Sequence, residues 1–284
     1  MFDPIQYLQL TWLILSHGRL KHSGEDFNKI REESLKGLQD FIPSRAAQSV
    51  NSTSPSKNAV TRNLIAQASY IKNPRHISGG HLSFNDLSYI RIPKAASTSM
   101  SKEVLEKMYP TLNQKNISEA QINFLTDLNL QSETLNTSVF FTIVRNPFAR
   151  LVSVYRDLFE NKNHYIYSDY LFGILPQQIS FPEFVERIAR IPDRLKDQHL
   201  RPQHAFLKYY EQKNLEVKVF KLEEPEALIQ FLNQHGMNLQ HMNRSVEPYD
   251  YKSYYNEHTM KQVSEIYEVD IIRFGYEDSS PHPK

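Results

Sequence analysis

Residues 87–99 read Leu-Ser-Tyr-Ile-Arg-Ile-Pro-Lys-Ala-Ala-Ser-Thr-Ser, and this stretch decides the fold. Its first six residues are rich in β-forming side chains, which predicts a short strand over residues 87–92. Pro93 ends that strand, and a loop of small residues leads into a helix that is expected over residues 99–108. A strand that turns through a short loop directly into a helix is the building unit of a parallel α/β sheet.

A second junction between a strand and a helix follows at residues 138–147. Residues 138–144, Ser-Val-Phe-Phe-Thr-Ile-Val, form a nearly continuous apolar run, which is typical of a strand buried on both faces. Asn146 and Pro147 then supply a helix N-cap and a first helical residue. Further patterns predict a strand over residues 217–220 and helices over residues 182–188, 202–210, 225–234 and 258–267. This alternation predicts an α/β fold, a parallel sheet flanked by helices, with ligands bound beyond the carboxyl ends of the strands.

The first 80 residues have a different sequence pattern from the rest of the chain. Apolar residues recur there at helical spacing, and a stretch rich in Ser, Asn, Thr and Pro over residues 48–57 indicates a loop. We therefore predict a helical N-terminal extension over residues 1–80 and one α/β domain over residues 81–284. The length of 284 residues suits one domain with an extension.

Composition limits the possible partners and compartments. The formal net charge is +1, so no overall basic character indicates a nucleic-acid partner. The absence of cysteine excludes disulfides, thiolate zinc sites and cysteine nucleophiles. The early apolar run at residues 10–15 is too short to span a membrane, and the first residues lack the basic start of a signal peptide. We expect a cytoplasmic protein; the Golgi lumen is the alternative for a truncated eukaryotic chain.

The loop after the first strand has the features of an anion site. A helix N-terminus presents N–H groups without helical partners and the positive end of the helix dipole. Lys94 adds a cation, and Ser97, Thr98 and Ser99 add hydroxyl donors, so the loop is suited to a phosphate or a sulfate. The same sequence pattern is also compatible with an ordinary capped helix that follows a strand and binds no anion. The nucleotide-binding pattern G-x-x-x-x-G-K-[ST] is absent, which argues against a kinase or an NTPase.

The second junction adds a second anion site. Arg145 follows a buried strand, where its guanidinium is well placed for two-pronged binding of a phosphate. Ser153 lies on the helix that follows. We expect Arg150 and Arg156 to lie at the surface or in salt bridges. Two junctions with anion-binding features in one sheet arise by chance less often than a single one.

Together the two junctions resemble the signatures of the Golgi-type carbohydrate sulfotransferases and their bacterial relatives. Those signatures are P-K-x-x-S/T-S/T and R-x-P-x-x-R-L-x-S-x-Y, and they correspond here to residues 93–99 and 145–155. Weaker similarity continues at residues 197–203, 243–255 and 267–276. The resemblance implies a P-loop-NTPase-like sulfotransferase fold. It also implies transfer of a sulfuryl group from 3′-phosphoadenosine-5′-phosphosulfate (PAPS) to a hydroxyl acceptor, a carbohydrate.

The resemblance also implies roles for individual residues. Lys94 would stabilise the departing 5′-phosphate, and Arg145 and Ser153 would hold the 3′-phosphate. The implied donor-binding residues are Lys94, Ala95, Ala96, Ser97, Thr98, Ser99, Arg145, Ser153 and Ser245. We expect no metal, because no cluster of His, Asp and Glu has ligand spacing. Ala96 stands where relatives often have glycine, and we expect it to resist a positive φ if that position requires one.

The general base and the acceptor remain open. His199 is the first candidate base, and His164 and Glu103 are the others; each has an ordinary structural role as its alternative. Acceptor-binding segments are expected over residues 114–136 and 161–179. Two other functions also remain: a kinase-like nucleotide phosphotransferase on a similar fold, and a non-catalytic module that binds a nucleotide or a glycan.

Overall fold

The computed structural model describes residues 80–112, 117–130, 139–160, 174–175, 178–193, 196–237 and 250–279. The helical extension predicted for residues 1–80 lies outside these ranges except for its last residue. The proposed division into an extension and a domain therefore remains a prediction.

A four-stranded sheet forms the centre of the described part. Its strands are β1 (His81–Phe84), β2 (Leu87–Ile90), β3 (Val139–Val144) and β4 (Val217–Lys221), and they lie in the order β1-β2-β3-β4. β2, β3 and β4 run parallel, whereas β1 is antiparallel to β2. The predicted α/β fold with a largely parallel sheet is confirmed.

The antiparallel strand β1 is the element of the sheet that the sequence pattern missed. It is joined to β2 by a tight turn at Asn85 and Asp86, and Asn85 takes a left-handed φ of 51°. Asn is among the residues that adopt this conformation most readily, so the turn closes a two-residue hairpin. A strand of four residues directly after two glycines carries too little periodicity to be recognised.

Helices cover the sheet and follow each parallel strand. The α-helices of the described ranges are α1 (Ser97–Met108), α2 (Glu119–Asn129), α3 (Pro147–Tyr155), α4 (Phe181–Ala189), α5 (Lys208–Gln212), α6 (Pro225–Gln234), α7 (Glu257–Ile266) and α8 (Glu268–Arg273). A π-helical turn, Arg156–Glu160, continues α3. Short 3-10 turns lie at Gln203–Phe206, Tyr251–Tyr254 and Glu277–Ser279. The helix predicted over residues 202–210 is thus divided between a 3-10 turn and α5.

The core is centred on β2 and β3, where nearly every residue is buried. The Tyr89 ring lies 5.4 Å from the Phe141 ring, and Phe140 lies 5.2 Å from Tyr210, centroid to centroid. The second contact packs β3 against α5, and the first holds the parallel strands β2 and β3 together. Their carboxyl ends therefore meet at one edge of the sheet, and the loops that follow them lie side by side.

Helix α2 occupies part of a segment that the sequence pattern assigned to acceptor-binding loops. It begins with a capping box, in which Gln121 N donates to Ser118 Oγ at 3.3 Å and Ser118 N donates to Gln121 Oε1 at 3.0 Å. The spacing of Ser118 and Gln121 was a readable start signal. A small second core, separate from the main one, holds α2 against α1 and consists of Leu105, Leu112, Ile122 and Leu125.

The C-terminal helices fix the segment that leads to the 3-10 turn at Gln203–Phe206. The buried Asp270 carboxylate accepts the backbone N–H of Gln203 at 2.5 Å and that of His204 at 2.8 Å. The Tyr267 hydroxyl donates to Leu200 O at 2.8 Å. Because Asp270, Gln203 and Tyr267 are buried, the loss of these bonds would leave unsatisfied polar groups in the core.

We predict that the protein loses stability in alkali above about pH 10. Burial raises the pKa of Tyr267 and Tyr89 above the usual value of about 10. The unfolded chain then loses these protons at a lower pH than the folded one, so stability is intact below about pH 10 and falls above it. Thermal unfolding measured between about pH 8 and 11 should show this fall, and Tyr267→Phe should make it shallower. An identical fall in the two proteins would contradict the assignment.

Candidate active site

The loop between β2 and α1 has two residues in the left-handed conformation. Lys94 has a φ of 66° and Ala96 a φ of 56°. Alanine therefore does adopt the conformation that we expected it to resist, at a cost of about 1 kcal/mol relative to a relaxed backbone. Ala95 N donates to Ile92 O at 3.3 Å, which closes the turn, and Met100 N donates to Ala96 O at 3.0 Å, which starts the helix.

The two strand–helix junctions differ at their helix starts. At α3, the Asn146 side chain accepts the N–H groups of Phe148 at 2.9 Å and Ala149 at 3.2 Å. At α1, the N-cap is Ala96, which has no side chain that can cap, and no acidic residue lies in the first turn. The positive end of the α1 dipole is therefore not neutralised by a capping oxygen or by a first-turn carboxylate. This favours an anion at α1 over α3.

Lys94 is held at this helix start by a carboxylate. Its Nζ lies 2.7 Å from Asp157 Oδ2, and the two side chains are 21% and 29% exposed. Asp157 belongs to the π-helical turn that continues α3. Sequence reasoning did not single out Asp157, although its spacing of four residues from Ser153 was a signal that both could lie on one helix face.

Arg145 connects the second junction to the first. It directly follows β3, and its Nη1 donates to Lys94 O at 3.2 Å. Its backbone is fixed by Gln203, because Arg145 N donates to Gln203 Oε1 at 2.9 Å and Gln203 Nε2 donates to Arg145 O at 2.7 Å. The guanidinium and the Lys94 loop are therefore immediate neighbours.

The prediction that Arg150 lies at the surface is wrong, and its alternative, a salt bridge, stays a prediction. Its side chain is 2% exposed, and its Nε donates to Pro93 O at 3.0 Å. Its Nη1 donates to Arg201 O at 2.9 Å and its Nη2 to Gln198 O at 3.2 Å. Arg150 thus joins the Lys94 loop to residues 198–201. The prediction for Arg156 is confirmed, since it pairs with Glu160 at 3.3 Å and is partly exposed.

His199 is oriented by a neighbouring carboxylate. Asp197 Oδ1 accepts His199 N at 2.8 Å and lies 2.6 Å from His199 Nδ1. When Nδ1 carries the proton and donates it to Asp197, Nε2 is the basic nitrogen of the ring. The Arg150 guanidinium binds both Pro93, next to Lys94, and Gln198, next to His199. Lys94 and His199 therefore each directly follow a residue whose backbone carbonyl binds the Arg150 guanidinium.

A pocket of about 380 Å³ opens beyond the carboxyl ends of β3 and β4. Arg145, Lys221, Glu223, Tyr251 and Tyr276 are among the residues that line it. Glu223 Oε1 accepts Asn146 N at 2.8 Å, and its Oε2 accepts the Tyr276 hydroxyl at 2.8 Å. Burial, followed by the Glu223 charge, raises the pKa of Tyr276, so this phenol stays protonated and continues to donate. The pocket contacts Arg145 and is continuous with the second junction.

A family model describes the same stretch of chain. The model of the sulfotransferase family matches residues 83–277, a range that contains both junctions. The chain belongs to the sulfotransferase family. The resemblance drawn from residues 93–99 and 145–155 is thereby confirmed, and sulfuryl transfer is the general class of reaction. No curated protein and no solved structure matches the chain significantly.

In this sulfotransferase the remaining predicted residues have distinct surroundings. Ser97 and Ser99 are buried in the first turn of α1. The Thr98 hydroxyl donates to Glu119 Oε1 at 3.1 Å, at the start of α2. Ser153 is half-buried on α3 and lies one turn after Ala149. Ala149 lines the pocket. Glu103 is half-buried in the second turn of α1.

Two predicted residues of the sulfotransferase site cannot be placed. His164 and Ser245 lie outside the described residues, as does most of the proposed acceptor segment 161–179.

Within the described ranges, no group of three or more His, Asp or Glu side chains could hold a metal ion. In the same ranges, no helix is both long enough and apolar enough to cross a membrane.

We predict that Ala96→Gly stabilises the sulfotransferase by about 1 kcal/mol, because glycine adopts a left-handed φ without the clash of a Cβ. Ala95→Gly is the matched control. Ala95 is fully buried and is not among the residues with a positive φ, so glycine there should lower stability. Urea unfolding of the three proteins measures both changes. A loss of stability in Ala96→Gly comparable to that in Ala95→Gly would contradict the strain assigned to Ala96.

Proposed function

We propose that the chain transfers the sulfuryl group of PAPS to a hydroxyl of a carbohydrate acceptor. The observation that carries this proposal is the contact of two cationic junctions. Lys94 lies at a helix start without a side-chain cap, and Arg145 reaches the Lys94 carbonyl at 3.2 Å. A ligand with anionic groups at two positions matches this arrangement better than a single phosphate does.

The start of α1 is the proposed site of the phosphosulfate. Its N–H groups and the hydroxyls of Ser97, Thr98 and Ser99 would hold the oxygens that do not react. The loop residues Ala95 and Ala96 add no bulk, so the backbone can approach the ligand closely. PAPS is the donor that the sulfotransferase family generally uses.

The second junction is the proposed site of the 3′-phosphate. Arg145 provides the guanidinium, and Ser153 lies one turn beyond Ala149 on the helix face that borders the pocket. Ser245 is proposed as a further donor to this phosphate. The pocket of about 380 Å³ is within the usual range for a small-molecule site, so its aromatic wall of Tyr251 and Tyr276 is a suitable surface for the nucleoside.

The proposed chemistry is an in-line displacement at sulfur. The acceptor oxygen forms a bond to sulfur as the bond from sulfur to the 5′-phosphate oxygen breaks. Lys94 neutralises the charge that grows on the departing phosphate. His199 Nε2 takes the proton of the acceptor hydroxyl, and Asp197 holds the ring through Nδ1, which stabilises the imidazolium that results.

We predict that Lys94→Ala and Arg145→Ala each abolish sulfuryl transfer. Arg145→Ala should also weaken the binding of adenosine 3′,5′-bisphosphate by about tenfold or more, because a charge-assisted contact is lost. Calorimetry with the bisphosphate and with ATP measures donor recognition. The bisphosphate should bind the wild-type protein more tightly than ATP does.

The control for both variants is Arg156→Ala, which removes a partly exposed arginine paired with Glu160 and should leave binding and transfer unchanged. Near-normal transfer in Lys94→Ala or Arg145→Ala would refute the assigned site. Tighter binding of ATP would favour the phosphotransferase. Binding of the bisphosphate without transfer of radiolabelled sulfate to any glycan would favour a non-catalytic module.

We predict that His199→Ala lowers kcat by about 10²- to 10⁴-fold and leaves the affinity for the bisphosphate unchanged, because a general base contributes to the chemical step alone. Asp197→Asn should lower kcat less, since the ring keeps its basic nitrogen but the imidazolium loses its counter-charge. Retention of wild-type kcat in His199→Ala would show that another group accepts the proton.

A further inference from the structure

The loop proposed to hold the phosphosulfate contacts two carboxylates. Asp157 Oδ2 lies 2.7 Å from Lys94 Nζ, and Glu119 Oε1 accepts the Thr98 hydroxyl at 3.1 Å. A carboxylate beside an anion site weakens anion binding, because like charges repel. The two acidic residues therefore do not serve to strengthen the binding of an anion.

The two carboxylates differ in burial, which decides which of them matters more. Asp157 is half-buried and forms an ion pair with a half-buried lysine, whereas Glu119 is exposed. Solvent and salt screen the charge of an exposed side chain far more than that of a partly buried one. Asp157 is therefore the carboxylate whose charge acts most strongly on a ligand at Lys94.

Both basic and acidic side chains contribute to the charge around the loop. Lys94 carries the cation that the proposed function places beside the ligand at the helix start. Arg145 Nη1 and Arg150 Nε add positive charge next to the loop, because they donate to the carbonyls of Lys94 and Pro93. Asp157 opposes the Lys94 charge at a distance of 2.7 Å. The electrostatic potential where the sulfuryl group of PAPS would bind is thus less positive than the three basic side chains alone would make it.

The terminal groups of possible donors differ by one charge. A sulfuryl group ends in one negative charge, whereas a terminal phosphoryl group carries close to two at neutral pH. Both groups are tetrahedral and nearly equal in size, so shape alone separates them poorly. A half-buried carboxylate within reach of the terminal group penalises the phosphoryl group more.

We propose that Asp157 is a specificity-determining residue that selects a sulfuryl donor against its phosphoryl counterpart through charge repulsion. This inference rests on the proposed function, because it takes the helix start at Lys94 as the site of the terminal group. The helix face that carries Asp157 fits this role. Ala149, Ser153 and Asp157 follow one another at intervals of four residues, from the pocket beside Arg145 to the ammonium of Lys94.

The test is the affinity of two isosteric ligands measured by calorimetry at neutral pH. One ligand is PAPS, and the other is adenosine 3′-phosphate 5′-diphosphate, in which a terminal phosphoryl group replaces the sulfuryl group. The wild-type protein should bind PAPS more tightly. Asp157→Asn should reduce this preference by about tenfold, which is the effect expected for one screened charge near the ligand.

Two further variants serve as controls. Glu160→Gln removes a carboxylate from the same π-helical turn that pairs with Arg156 and not with Lys94, so the preference should not change. Glu119→Gln should change it by less than Asp157→Asn does, because Glu119 is exposed.

The possible results separate this inference from the proposed function. If the wild-type protein binds neither ligand nor the bisphosphate, the proposed function fails, and the inference fails with it. If the ligands bind and Asp157→Asn changes the affinity for PAPS and for its phosphoryl isostere by equal factors, the proposed function stands and the role of Asp157 in selectivity is refuted. Equal shifts in Asp157→Asn and Glu160→Gln would also refute it.

Discussion

The site depends on one buried guanidinium. Arg150 donates to the carbonyls of Pro93, Arg201 and Gln198, three groups from two segments that are far apart in the chain. Because the side chain is 2% exposed, each of its bonds replaces water that the charge has lost. A buried cation without these acceptors would be strongly unfavourable, so both segments must lie where Arg150 can reach them. The charge of Arg150 thus acts as a positional constraint on the loop that carries Lys94.

The anion preference of the loop arises from a difference between two similar junctions. Asn146 neutralises the start of α3 with its own side chain, while Ala96 leaves the start of α1 without such a cap. Lys94 and Ala96 both adopt left-handed conformations there, a local strain that persists because the surrounding strand, helix and Arg150 fix the backbone. The sheet brings the two junctions together, and the caps decide which of them offers backbone N–H groups to a ligand.

Much of the fold could be predicted from local patterns. The apolar run before Arg145 and the Asn146-Pro147 pair identified β3 and the start of α3, because burial on both faces and N-capping act within a few residues. The role of Arg150 could not be predicted this way, since arginine is usually exposed and its acceptors come from distant segments. Asp157 was missed for the same reason, as its partner Lys94 lies on another element. Helix α2 was missed despite a readable capping box, since its sequence was assigned to loops.

The hydrogen bonds of Asp270 affect the order in which the protein can assemble during synthesis. Asp270 holds the backbone of Gln203 and His204, and Gln203 in turn fixes the backbone of Arg145. The second junction is therefore complete only when α8 has been made, although its own residues emerge from the ribosome much earlier. Contacts over such long sequence separations form late in folding. A nascent chain that ends before α8 would carry both signature motifs and still lack the support that positions Arg145.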